Sequence, residues 1–84
     1  MTLEAAFGQV IKALRKERNF SQEKLSFESG LDRTFISLLE CGRKQPSLVT
    51  IFQLAKALQI SPAQIIASVE EKCNENSQGR ISDP

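Results

Sequence analysis

Hydrophobic residues along this chain recur with the spacing of an amphipathic helix. The first such stripe lies near the N-terminus and consists of Phe7, Val10, Ile11 and Leu14. A second stripe lies beyond the middle of the chain and consists of Leu48, Ile51, Leu54, Ala55 and Leu58. Spacings of three and four residues indicate one buried face on each helix. The pattern predicts one helix over about 3–18 and another that begins after Ser47, and no strand pattern competes with it.

Between these two stripes, capping residues predict two short helices. Ser21 is a suitable N-cap for a helix that ends near Ser29, and Gly30 suits the left-handed conformation that closes a helix. Asp32 is a second N-cap and opens a helix over about 33–41. The two short helices are therefore separated only by a tight turn.

The last predicted helix has the clearest start signal in the chain. Ser61 is its N-cap, Pro62 occupies the first helical position, and Gln64 stands three residues after the cap. Apolar residues then follow at helical spacing: Ile65, Ile66 and Val69. This arrangement predicts a fifth helix that begins at Pro62.

The end of the chain differs in composition from the rest. Residues 1–69 hold nine Lys and Arg against six Asp and Glu, whereas residues 70–84 hold two against four. Ile81 is the only strongly apolar side chain of the second segment. This polar composition predicts a flexible C-terminal tail. We therefore expect an all-α fold, with a compact five-helix domain over residues 1–69 and a tail over 70–84.

The residue types that are missing exclude most catalytic and metal chemistry. The 84 residues include no His, the commonest general base and a frequent metal ligand, and the two cysteines, Cys41 and Cys73, stand far apart. We therefore expect no enzymatic activity, no metal and no cofactor. No segment has about 18 consecutive apolar residues, and the N-terminus lacks a signal-peptide pattern, so we expect a cytoplasmic protein that does not bind a membrane.

The two short helices around the turn at Gly30 have the construction of a helix-turn-helix motif over about 22–41. Three apolar residues can pack between the helices: Leu25, Ile36 and Leu39. Three polar residues of the second helix then point outward: Arg33, Thr34 and Ser37. In such a motif the second helix can lie in the major groove of DNA.

The chain also resembles a known family of bacterial and phage DNA-binding domains. The similarity is carried by SQEKLSFESGLDRTFISLLECGRKQPSL, followed by IFQLAKALQISP, which is like the lambda-repressor-like Cro/C1 type, also called XRE. It covers about residues 7–68. The run GLDRTFIS is especially similar to the controller proteins of restriction-modification systems, which are small dimeric regulators, and it occurs in other XRE regulators as well.

The resemblance implies a division of roles at the DNA. Base contacts are implied for residues of the second, or recognition, helix: Arg33, Thr34, Phe35 and Leu38. Phosphate contacts are implied for Ser21, Gln22, Ser37, Arg43 and Lys44. An alternative role for Phe35 is to fold back as a lid on the core. Leu38 stands where a polar base reader is common in the family, so it either touches a thymine methyl group or reads no base.

Two further roles follow from the same resemblance. Arg15, late in the first helix, is expected to form a structural ion pair with Glu40, which ends the recognition helix. The last helix is expected to form a dimer interface through Ile66 and Val69, whereas Ile65 belongs to the core.

Together these expectations describe a homodimeric, sequence-specific transcriptional regulator. Its partners are a double-stranded DNA operator with palindromic half-sites and, for an activator, RNA polymerase, for which the acidic Glu23 and Glu28 are candidate contacts. The resemblance favours a controller protein that regulates its own promoter, and it leaves activation and repression open. The alternatives are an antitoxin that represses its own gene and a protein-interaction module that has kept the fold without binding DNA.

Overall fold

The computed structural model describes residues 1–76, and these residues form five α-helices without a strand. The helices are α1 (Leu3–Glu17), α2 (Gln22–Ser29), α3 (Arg33–Glu40), α4 (Leu48–Leu58) and α5 (Pro62–Asn76). The predicted all-α, five-helix class is therefore confirmed. The first three helices begin and end within about one residue of their predicted bounds, and α4 and α5 begin at their predicted first residues, Leu48 and Pro62.

Capping side chains fix the first residue of three of the helices. The hydroxyl oxygen of Ser21 accepts a hydrogen bond from the backbone N–H of Lys24, and the Ser61 hydroxyl accepts one from Gln64, each over 3.0 Å. Ser47 caps α4 in the same way. Each cap satisfies one of the backbone donors that a helix start leaves without an intrahelical partner.

A single hydrophobic core joins all five helices. Its fully buried large side chains are Ile11, Leu25, Ile36, Leu39, Leu54, Leu58 and Ile65. The predicted inward residues of the two short helices are among them, so α2 and α3 are held against each other and against the rest of the domain. Burying an apolar side chain of this size contributes about 1.5–3 kcal/mol, which makes this core the main support for the orientation of α3.

The prediction that Leu48 faces the core is wrong, because its side chain is 71% exposed. The buried arc of α4 includes Thr50, Leu54 and Ala57, and Leu48 lies outside it. The rest of the predicted stripe does face inward. Because α4 is apolar around much of its circumference, its sequence does not specify which side faces the core. Packing against the other helices places Leu48 on the exposed side.

The fifth helix is longer than its sequence indicates. It continues past the expected end at residue 69 to Asn76, so the first part of the predicted tail is helical. Cys73 packs partly against the core, one turn beyond Val69, and α1 lies alongside α5. Tertiary packing therefore stabilises a polar segment as helix. The remainder of the predicted tail, 77–84, lies outside the described residues, and within residues 1–76 no helix is long and apolar enough to cross a membrane.

Candidate nucleic-acid interface

The turn between α2 and α3 is fixed by hydrogen bonds and by one left-handed residue. Gly30 has a φ of 76°, which a glycine adopts without the steric cost of a side chain, and its N–H donates to the Ser26 carbonyl over 2.9 Å. The Ser26 hydroxyl donates to the carbonyl of Leu31. Leu31 packs partly against the core. These contacts fix how α3, the recognition helix, leaves the turn.

The outer face of the recognition helix brings together most of the predicted base and phosphate contacts. Arg33 and Thr34 are exposed on its first turn, and Asp32 caps that turn through a 3.0 Å bond from the Thr34 N–H to a carboxylate oxygen. One surface hollow is lined by Gln22, Arg33, Thr34, Ser37 and Leu38. The start of α2 and the exposed face of α3 therefore form one continuous polar surface with a single apolar side chain, Leu38.

Phe35 is placed differently from its neighbours Arg33 and Thr34. It is half-buried and packs against the hydrophobic core. This position favours the alternative role as a lid on the core over contact with a base.

Basic and hydroxyl groups are exposed next to this surface in the chain. Arg43 and Lys44 are exposed in the loop between α3 and α4, where the Arg43 N–H donates to the Leu38 carbonyl over 2.9 Å. Ser21 is exposed at the N-terminus of α2, where the backbone N–H groups and the helix dipole favour an anion. Exposed cations and a helix N-terminus are groups that bind DNA phosphates.

Behind this surface, a buried ion pair joins α1 to the end of α3. Arg15 Nε lies 2.7 Å from Glu40 Oε2, and Arg15 Nη2 donates to Glu40 Oε1 over 3.0 Å, so the pairing is bidentate. Arg15 Nη1 also donates to the Phe20 carbonyl over 2.8 Å. The hydrogen bond to Glu40 raises the pKa of Arg15 above its ordinary value. The ion pair that the resemblance implies is therefore present, with both side chains buried.

A third side chain completes this network and was not foreseen from the sequence. Gln22 Nε2 donates to Glu40 Oε1 over 3.0 Å. The residues are 18 positions apart, and only the packing of α2 against α3 brings them together. Gln22 thus connects the buried pair to the exposed hollow.

The side chains of the expected dimer interface are split between core and surface. Ile66 is 48% exposed, but Val69 is only 5% exposed and packs within its own chain's core. Val69 therefore has little surface to offer a partner. Its inward position follows from its spacing of four residues from the fully buried Ile65.

A larger apolar surface lies on α4 and was missed. Leu48, Val49 and Phe52 are 71%, 68% and 56% exposed, and they line one groove with Ile60 and Pro62. We call these five residues the α4 apolar surface. A signal was available in the sequence, since α4 carries more apolar residues than one buried arc can accommodate.

A sequence profile of the helix-turn-helix family matches residues 11–65, which contain the whole of α2, α3 and α4. The match covers more than half of the chain and includes the motif whose geometry is described above. The chain belongs to the Cro/C1-type, or XRE, helix-turn-helix family. It is a helix-turn-helix transcriptional regulator.

Relatives within this family include controller proteins. The control protein C.BamHI of Bacillus amyloliquefaciens is 43% identical over 61 residues, which are 71% of this chain and 75% of that protein. The crystal structure of the restriction-modification controller protein C.AhdI from Aeromonas hydrophila is 44% identical, covers 74% of this chain and 94% of that one, and gives a TM-score of 0.72. The controller protein C.Esp1396I, at 27% identity, covers 89% of this chain and 97% of its own, with a TM-score of 0.81.

Proposed function

We propose that this XRE regulator binds a specific double-stranded DNA operator as a homodimer, in the cytoplasm, with the recognition helix α3 in the major groove. The observation that carries the proposal is the exposure of Arg33 and Thr34 on the first turn of α3, where they line one hollow with Gln22. These exposed side chains are free to approach a base edge.

Within this proposal, one set of side chains contacts the DNA bases and a second set contacts the DNA phosphates. Arg33 pairs with guanine O6 and N7, the commonest specific contact, worth about 1–3 kcal/mol of discrimination. Thr34 contacts a neighbouring base and Leu38 contacts a thymine methyl group. Phosphates are held without regard to sequence by Ser21, Gln22, Ser37, Arg43 and Lys44.

The proposed dimer forms through the α4 apolar surface together with the exposed Ile66. Val69 is buried, so in this proposal it packs under the interface and does not contact the second copy. A second copy of this chain is the occupant that fits, because the surface carries apolar side chains with few charges and is therefore complementary to itself. None of its five residues lines the hollow on α3, so pairing there uses no residue of that part of the proposed DNA interface. Two helices read two half-sites about 34 Å apart, which doubles the base contacts of a single domain.

Similarity to C.BamHI and C.AhdI supports a more specific role as a controller of a restriction-modification system that regulates its own promoter. Such a regulator would act on transcription by its position on DNA. Where it activates, Glu23 and Glu28 on the exposed side of α2 are the proposed contacts for RNA polymerase.

The test is a gel-shift titration on the DNA upstream of the protein's own gene, at two salt concentrations, with unrelated DNA as competitor. Because the dimer loses one Arg33 contact in each half-site, about 2 kcal/mol or more in all, Arg33→Ala is expected to lower affinity for the operator about thirtyfold or more while leaving affinity for unrelated DNA nearly unchanged. Lys44→Ala is expected to weaken binding to both and, because the dimer carries the substitution twice, to reduce the salt slope by about 1.8. No binding to any duplex at low salt would overturn the proposed function, and equal losses on both DNAs for the two variants would overturn the division of roles.

A further inference from the structure

Asp32 occupies the N-cap of the recognition helix, and the cap uses only one of its two carboxylate oxygens. Oδ2 accepts from the backbone N–H of Thr34 over 3.0 Å, and within residues 1–76 the Asp32 side chain makes no other hydrogen bond or ion pair. The residue is exposed. Because a carboxylate accepts hydrogen bonds through both oxygens, Oδ1 is an acceptor without a partner at the exposed start of the helix.

The capping bond restricts the direction of this second oxygen. Asp32 has φ −65° and ψ 140°, the extended backbone that an N-cap adopts, and Arg33 is the first helical residue. Any rotation of the carboxylate that keeps the bond from Thr34 leaves one oxygen on that N–H and the other turned away from it. An acceptor that is already oriented loses little conformational freedom when it binds a partner.

Asp32 is close enough to Arg33 in the chain to face the same part of a major groove. Consecutive Cα atoms are about 3.8 Å apart, and successive base pairs are about 3.4 Å apart. N-terminal residues of a recognition helix contact base edges, so a short side chain at the cap can reach one. No ion pair joins Asp32 to Arg33 in the part of the chain that the structure describes, so each is available to DNA.

A carboxylate is suited to one base above the others. It accepts from the N4 amino group of cytosine, whereas guanine presents the acceptors O6 and N7, thymine presents the acceptor O4, and adenine places the acceptor N7 beside its amino group. DNA phosphates repel a carboxylate. In contrast to the exposed cations Arg43 and Lys44, Asp32 therefore opposes binding that depends on phosphates alone and favours binding at a cytosine.

We propose that Asp32 is a specificity-determining residue: its second carboxylate oxygen accepts a hydrogen bond from the N4 amino group of a cytosine within one base pair of the guanine that Arg33 contacts. The inference rests on the proposed function and deepens it, because it concerns which bases that interface reads. The same carboxylate then caps the recognition helix and selects a base.

The test uses gel shifts on operator duplexes in which each base pair of one half-site is changed in turn. The measured quantity is the cytosine preference, defined as the affinity for the duplex with cytosine at a position divided by the affinity for the duplex with thymine there. Arg33→Ala identifies the guanine, and the three base pairs centred on it are the candidates. For the wild-type protein the cytosine preference at one of these three is expected to be about tenfold.

Asp32→Asn separates the two roles, because it keeps the cap and reverses the chemistry of the second group. Its amide oxygen accepts from the Thr34 N–H, and its NH2 group takes the place of the second carboxylate oxygen. A donor there binds thymine O4 and opposes the amino group of cytosine, so the cytosine preference is expected to fall from about tenfold to one or below. Uracil in place of thymine should give the same result, which excludes the thymine methyl group as the cause.

Two further variants accompany this comparison. Asp32→Ala removes both acceptors and should leave no preference between cytosine and thymine. Glu17→Gln removes an exposed carboxylate at the end of α1, and as the matched control it should keep the wild-type preference. Thermal unfolding followed by circular dichroism measures the stability of each protein. If Asp32→Ala does not fold, Asp32→Asn decides alone, since it retains the capping bond.

A role in capping alone predicts a different set of results. If Asp32→Asn keeps the wild-type base preferences, or raises affinity for every duplex by the same factor, the inference is overturned while the proposed function stands. The same conclusion follows if the wild-type protein prefers cytosine at none of the three base pairs. If Arg33→Ala identifies no guanine, the proposed role of Arg33 and this inference fail together. A wild-type protein that does not distinguish the operator from unrelated DNA would overturn the proposed function itself.

Discussion

Gly8 shows how a single residue sets the distance between two elements. It lies on the buried side of α1 where that helix crosses the end of α3, and a Cβ added there would lie 2.4 Å from the Leu39 carbonyl oxygen and 2.7 Å from that of Glu40. Both atoms belong to the backbone and cannot rotate away. The close approach of α1 to the recognition helix, and with it the reach of Arg15 to Glu40, depends on this glycine.

Gly8→Ala is therefore expected to destabilise the protein, although alanine is the better helix former by about 1 kcal/mol. Overpacking against fixed atoms costs about 1–3 kcal/mol or more, so the free energy of unfolding should fall. Urea denaturation followed by circular dichroism measures it. Gln9→Ala, at the exposed neighbouring position, is the control and should be neutral or slightly stabilising. A Gly8→Ala variant as stable as the wild type would show that α1 and α3 can separate without cost.

At the scale of one element, the recognition helix depends on its first turn. It has only eight residues, too few to be stable alone, and its start is fixed by the Asp32 carboxylate that accepts from the Thr34 N–H. Arg33 and Thr34, two of the residues proposed to contact bases, lie within that same turn. The capping bond that orders this turn therefore also positions the side chains proposed to contact bases.

Asp32→Ala is expected to lower the free energy of unfolding by about 1 kcal/mol, the usual loss on removing an N-cap acceptor. Asp32→Asn keeps an acceptor oxygen at the same position and should retain most of the stability. Chemical denaturation of the three proteins at one pH compares them directly. Equal losses in the alanine and asparagine variants would assign the effect to the charge of Asp32 and not to its capping bond.

At the scale of the whole domain, residues 1–76, the α4 apolar surface departs from an ordinary monomer surface. Three large apolar side chains within the first two turns of one helix remain mostly exposed, beside the loop proposed to follow the DNA backbone. Isolated exposed apolar residues are common on protein surfaces, but a contiguous group marks a contact with another macromolecule. The proposal that two copies pair there connects affinity for DNA to the oligomeric state.

Phe52→Glu is expected to convert the dimer into a monomer, because it places a charge from each copy within the apolar contact. Analytical ultracentrifugation measures the mass in solution, and cooperativity should disappear from the gel shift. Phe27→Glu is the matched control, since Phe27 on α2 is the same residue type and 82% exposed but lies outside the α4 apolar surface. It should leave the dimer intact. A Phe52→Glu protein that remains dimeric would place the interface elsewhere.

The sequence by itself determined where most helices begin and end and where the helix-turn-helix motif lies. Ser21, Asp32 and Ser61 act on backbone groups two or three residues away, and Gly30 acts through its own φ, so these signals need no tertiary information. The exposed position of Arg33 and Thr34 followed from the same local pattern. The pairing of Arg15 with Glu40 came from the resemblance to a family and not from any local signal.

Tertiary structure alone decided the features that depend on how each helix is rotated and on what it packs against. It turned Leu48 outward and Val69 inward, and it extended α5 to Asn76 along the side of α1. It also brought Gln22 to Glu40, and Glu40 to Arg15, across sequence separations of 18 and 25 residues. Helical periodicity shows that a helix has an apolar face, but the side chains of the neighbouring helices determine which arc is covered and which polar groups meet beneath it.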